Sequence, residues 1–94
     1  IDSYFEVRTP LNILVRTTKE YWKNIVNYKH PIMKDKINLV KKTLKEPFMI
    51  RKSNTDNSVF LYYGAENTYY ICVVVRHLNG NGFIITAIEQ IKSK

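Results

Sequence analysis

Apolar residues recur at helical spacing through the middle of this chain, and they alternate or run together on either side of it. "SYFEVRTPLNILVRTT" holds two short β-prone runs, Tyr4–Arg8 and Asn12–Arg16, parted by Thr9-Pro10-Leu11. This predicts a hairpin or a bent strand. Thr17 with Glu20 three residues on has the capping-box spacing that starts a helix. Tyr21, Trp22, Ile25, Val26 and Tyr28 carry that helix to about Lys29. Pro31 disfavours α geometry at His30, ending the first helix, and proline suits the first position of a second. Met33, Ile37, Val40 and Leu44 recur at i, i+4, i+7 and i+11, an apolar stripe that Glu46-Pro47 closes. Thereafter the pattern is β: residues 48–53, 58–64, 68–78 and 83–91, joined by "NTDN", "AEN" and "NGNG". Connections this short favour antiparallel pairing. Tyr69–Val75 is apolar on both faces, as a central strand would be. The expected order is ββ–α–α–ββββ, an α+β domain. In it two helices pack on one face of a mainly antiparallel sheet of four strands or slightly more.

Composition narrows the class. The 94 residues, 45% hydrophobic and 24% charged, predict one soluble globular domain spanning 1–94. The longest apolar run is far short of the roughly 20 residues of a membrane span, so no membrane partner is expected. No signal-peptide pattern opens the chain, and Ile1 in place of Met implies a trimmed end. Cys72 is the sole cysteine, so no internal disulfide forms and a reducing, cytoplasmic setting is the expectation. The formal charge of +7 is uneven. Residues 16–52 hold eleven Lys/Arg against Glu20, Asp35 and Glu46, a local +8, while the rest of the chain is −1. At 100° per residue, Lys34, Lys41 and Lys45 form a ridge beside the apolar stripe. Such concentration is the footprint of a polyanion partner, although a solvated Lys-rich helix has the same composition.

The chemistry-bearing residues are few. His30, His77 and Cys72 do not have metal-ligand spacing, and no GxSxG elbow or P-loop is present, so no cofactor is expected. His30 sits at the helix junction, where its ring either caps the second helix or serves chemistry. Arg51 and Ser53 share a strand face; Tyr62 and Tyr63 take opposite faces, so one of them is core. Arg76 extends the face of Cys72 and Val74, and Thr86 is the one hydroxyl among Ile84, Ile85, Ala87 and Ile88. These parts suit RNA cleavage without metal. The RNA 2′-OH attacks the adjacent phosphodiester, and the enzyme aligns the attack, moves protons and neutralises the growing charge. Arg is fitted to the last task and His to the second.

"T.KEYWKNIVNYKHP", "L..P..I..S..D", "LYY", "VVVR" and "GFIITA..QIK", in this order from Val15 to Lys92, resemble the phage-type branch of the barnase–EndoU–colicin–RelE superfamily. These are small metal-independent ribonucleases, many of them toxins. The resemblance implies one or two helices against a four-stranded antiparallel sheet and a polar site on the exposed sheet face. By position it implies a helix-end histidine at His30, with Ser53, Tyr63 and Thr86 in the site. Arg76 stands where Lys is more usual, and Ile88 where an aromatic residue is common. The expectation is a toxin-type endoribonuclease. His30 would transfer protons, Arg51 and Arg76 would stabilise phosphate charge, and Ser53, Tyr63 and Thr86 would position the phosphate or a base. Lys34, Lys41, Lys45, Lys52 and Tyr62 would contact the RNA, and an acidic antitoxin or immunity protein would mask the Lys-rich face. The alternatives are a non-catalytic RNA-binding module and a protein-interaction domain of the antitoxin or immunity kind.

Overall fold

In the computed structural model, residues 4–26, 36–66 and 69–91 are described. Their elements are β1 (Phe5–Arg8), β2 (Leu14–Thr17), α1 (Lys19–Asn24), α2 (Ile37–Lys45), β3 (Met49–Lys52), β4 (Val59–Glu66), β5 (Tyr69–His77) and β6 (Asn81–Ile91). The order of elements is the expected one; the architecture is not. All six strands join one sheet, ordered β1-β2-β6-β5-β4-β3, and the two helices are short. The expectation of two helices on a four-stranded sheet is therefore corrected to a strand-dominated, six-stranded α+β domain. The last four strands form an antiparallel meander, and the N-terminal hairpin extends it through a parallel β2–β6 pairing, Leu14 to Asn81 and Arg16 to Phe83. Two four-residue runs hold too few side chains for a core of their own, and their apolar residues are buried only when laid beside β6.

The hairpin turns through Asn12, whose positive φ of 62° is tolerated by a short polar side chain, and Arg8 Nη1 donates to Asn12 Oδ1 at 3.1 Å. Thr18, not Thr17, caps α1: its Oγ1 accepts from Tyr21 N at 3.1 Å, while Thr17 is buried at the end of β2. The expected second helix starts at Ile37 among the described residues, and the His30-Pro31 junction lies outside them.

One sheet face is covered. Phe5, Val15, Tyr62, Ile71, Val73, Val75, Ile84 and Ala87 pack there against Trp22, Ile25, Val26, Val40 and Leu44, and all are buried. Gly64 lets α2 approach β4, because a Cβ at that position would collide with Thr43 Oγ1. Lys36 ties the start of α2 to the sheet, 3.7 Å from Glu89 Oε2, 3.9 Å from Glu66 Oε1 and over the Tyr69 ring. Among the described residues no helix is long and apolar enough to cross a membrane.

Candidate nucleic-acid interface

Among the described residues the opposite face of the sheet carries no helix, and strand register dictates what it presents. Paired residues share a face, so the register lays out rows across the strands. One row is Arg51–Leu61–Val74–Thr86, and the next is Met49–Tyr63–Cys72–Ile88. On the other side runs Val59–Arg76–Phe83–Arg16. Arg51, Tyr63, Arg76 and Thr86, expected in the site, thus do face one way. They are not adjacent. Leu61 and Val74 stand between Arg51 and Thr86, a separation of three strand spacings or roughly 14 Å.

Thr86 reaches this face through an irregularity. Val74 pairs with Thr86 but Val75 pairs with Ile84, leaving Ile85 as the extra residue of a β-bulge. The bulge keeps Ile84 in the core and turns Thr86 to the open side. Ile85 is held by Tyr21, whose hydroxyl donates to its carbonyl at 2.9 Å. Thr86 Oγ1 is shielded from solvent and lacks a hydrogen-bond partner among the described residues.

Arg76 is fixed in place. Its Nη1 donates to Ser58 Oγ at 2.7 Å and to Asp56 Oδ2 at 3.2 Å, leaving the guanidinium partly exposed beside the 53–58 turn. Hydrogen bonds from the Ser58 hydroxyl and backbone, helped by Arg76, hold the Asp56 carboxyl below the usual carboxylate range. Ser53 Oγ accepts from Thr55 N and contacts Thr55 Oγ1, so it shapes the same turn. Arg51 is exposed on the edge strand. Burial, and then the Cys72 thiol beside it, push the Tyr63 hydroxyl above its ordinary range, which suits it to donate a hydrogen bond.

Other expected residues stand elsewhere. Tyr62 has no exposed surface and is removed from the RNA contacts. Its hydroxyl donates to Thr9 Oγ1 at 3.1 Å and lies 2.9 Å from His77 Nε2, and His77 stacks on Phe60 with centroids 4.0 Å apart. Lys41 and Lys45 line a groove with Glu6, Arg8 and Glu46 between α2 and β1, at the sheet edge farthest from Arg51, where Glu6 pairs with Arg16, and Lys41 covers the Phe5 ring. Lys52 pairs with Phe60 and so points opposite to Arg51. His30 and Lys34 lie outside the described residues.

The open face also exposes aromatic and apolar side chains that the expected site did not include. Phe48, Met49, Tyr70, Phe83 and Ile88 are each about two-fifths exposed or more, and Phe48 lies 5.8 Å from Tyr70 and 6.3 Å from Tyr63 between centroids. The signal was the doubly apolar run Tyr69–Val75, which also fits a strand with one bare apolar face. Where β2 ends and turns into α1, a cavity of about 380 Å³ opens beside β6, walled by Arg16, Tyr21, Leu78, Gly82, Phe83 and Ile84. Arg16 Nη2 donates to Asn81 Oδ1 at 3.3 Å on its rim. Among the described residues no group of three or more His, Cys, Asp or Glu could hold a metal ion. No protein-family model matches the chain, and no curated protein or solved structure is significantly similar to it.

Proposed function

We propose that the sheet face opposite the described helices takes single-stranded RNA and that the domain is a metal-independent endoribonuclease of toxin type. The observation that carries this reading is the common face of Arg51, Arg76, Arg16 and Thr86 with exposed Tyr70 and Phe83. Cations for phosphates beside rings for splayed bases are what a single strand requires, since base–aromatic stacking contributes about 1–3 kcal/mol per base. Cleavage would use the RNA 2′-OH as nucleophile. A fixed Arg76 would neutralise charge on the phosphorane, and His30 would move the proton. The resemblance set out above supports the chemistry, and the open face supports the substrate. An acidic antitoxin or immunity protein would then bind the cationic surface.

A second reading is favoured by one observation. Leu61 and Val74 separate Arg51 from Thr86, an arrangement better matched to holding a strand than to closing on one phosphate. Incubating the protein with total RNA in EDTA separates the two. The enzyme leaves fragments ending in 2′,3′-cyclic phosphate, and an Arg76→Ala/His30→Ala variant leaves none. RNA that stays intact but is retained on a filter with the wild-type protein means binding without cleavage.

A further inference from the structure

The cavity between β2, α1 and β6 belongs to neither the core nor the expected catalytic set. Two structural accidents create it. The parallel β2–β6 pairing stops at Arg16–Phe83, because β2 ends at Thr17 and the chain turns into α1. The bulge at Ile85 then shifts β6 just beyond that point. Tyr21 spans the gap and is held rigid by its bond to the Ile85 carbonyl.

We propose that this cavity receives an unpaired purine base. Resting on the RNA reading above, the inference adds a specificity site to the open face, with which the cavity shares Phe83 and Arg16. Its size falls within the roughly 300–1,000 Å³ of ordinary small-molecule sites. Its walls are rings and aliphatic carbon: Tyr21, Phe83, Ile84 and Leu78. Its polar groups are already occupied. Thr18 Oγ1 accepts from Tyr21 N, Tyr21 Oη donates to Ile85 O, and the Asn81 amide serves Arg16 and the Asn79 carbonyl. A pocket of this kind recognises by stacking area rather than by reading base edges, and a purine offers the larger ring system. Arg16 on the rim supplies the cation for the phosphate attached to such a base.

The test is amide NMR of the full chain titrated with adenosine 5′-monophosphate, uridine 5′-monophosphate and a single-stranded RNA oligomer. Adenosine monophosphate is expected to shift the amides of Thr18, Gly82, Phe83 and Ile84, with at least threefold tighter saturation than uridine monophosphate. Leu78→Trp, which fills the rim from an exposed position, and Phe83→Ala should each abolish those shifts while the rest of the spectrum stays folded. Arg16→Gln should weaken the monophosphate and leave adenosine itself unchanged. Oligomer binding on β3–β5 with no purine shifts in the cavity, or shifts equal in Leu78→Trp, overturns the pocket and leaves the RNA reading standing. Purine shifts in the cavity without oligomer binding uphold the pocket and sink the RNA reading.

Discussion

Tyr62 shows how much one neighbouring position decides. It and Tyr63 are adjacent in sequence and alternate in a strand, yet Tyr62 is sealed in the core and Tyr63 faces outward. The Tyr62 hydroxyl donates to Thr9 Oγ1 and also meets His77 Nε2 at 2.9 Å. Tyr62→Phe deletes both contacts and leaves the buried Thr9 hydroxyl with only the Leu11 N–H at 3.3 Å; unfolding in urea should show a loss of about 1–3 kcal/mol, with RNA affinity unchanged. His77 also sets a pH dependence. Burial holds its imidazole below the ordinary value of 6.5, so the unfolded chain binds the proton more readily. The stability this confers is complete above about pH 6.5 and declines as pH falls towards the lowered folded pKa. The His77 ring protons followed by NMR should titrate with a midpoint below 6.5. A midpoint above that value would contradict the burial described for this ring.

At the scale of elements, contact between α2 and the sheet rests on Gly64. Gly64→Ala places a methyl against Thr43 Oγ1 and Ile71. The expected cost is about 1–3 kcal/mol by overpacking, read as a lower denaturant midpoint. Thr43 Oγ1 has no hydrogen-bond partner among the described residues, so Thr43→Ala both frees the space and removes a stranded hydroxyl. The double variant should recover most of what Gly64→Ala loses, a non-additivity that a cycle of the four proteins measures. The α1 cap behaves more simply: Thr18→Ala should cost about 1 kcal/mol, whereas Thr17, buried in β2, does no capping. The spacing of Thr17 and Glu20 placed the start of a helix within one residue, because capping chemistry is local. It did not identify the cap, because either threonine offers the same hydroxyl and only the end of β2–β6 pairing chooses between them.

Across the whole molecule, charge and surface divide into two regions. Lys41 and Lys45 belong to the α2–β1 groove, while Arg51, Arg76 and Arg16 border the open face. RNA bound to the open face should lose affinity with salt in proportion to the phosphates neutralised. Arg51→Ala should lower the log–log salt slope by about 0.7–1, and Lys41→Ala/Lys45→Ala should change it far less. A dominant loss from the lysine pair would instead move the interface to the groove. The sequence by itself determined the order of elements and the basic bias of the middle third, since periodicity, breakers and charge are properties of neighbouring residues. It also determined that Arg76 shares a face with Cys72 and Val74, because alternation within one strand is geometric. What only the tertiary structure decided is pairing over long separations. The parallel contact of β2 with β6, sixty-odd residues apart, enlarged the sheet to six strands, and the bulge at Ile85 put Thr86 on the open face when strict alternation from Ile84 would have buried it. Side-chain identity carries no record of which distant backbone will supply a strand's hydrogen bonds, so neither event is written in any local pattern.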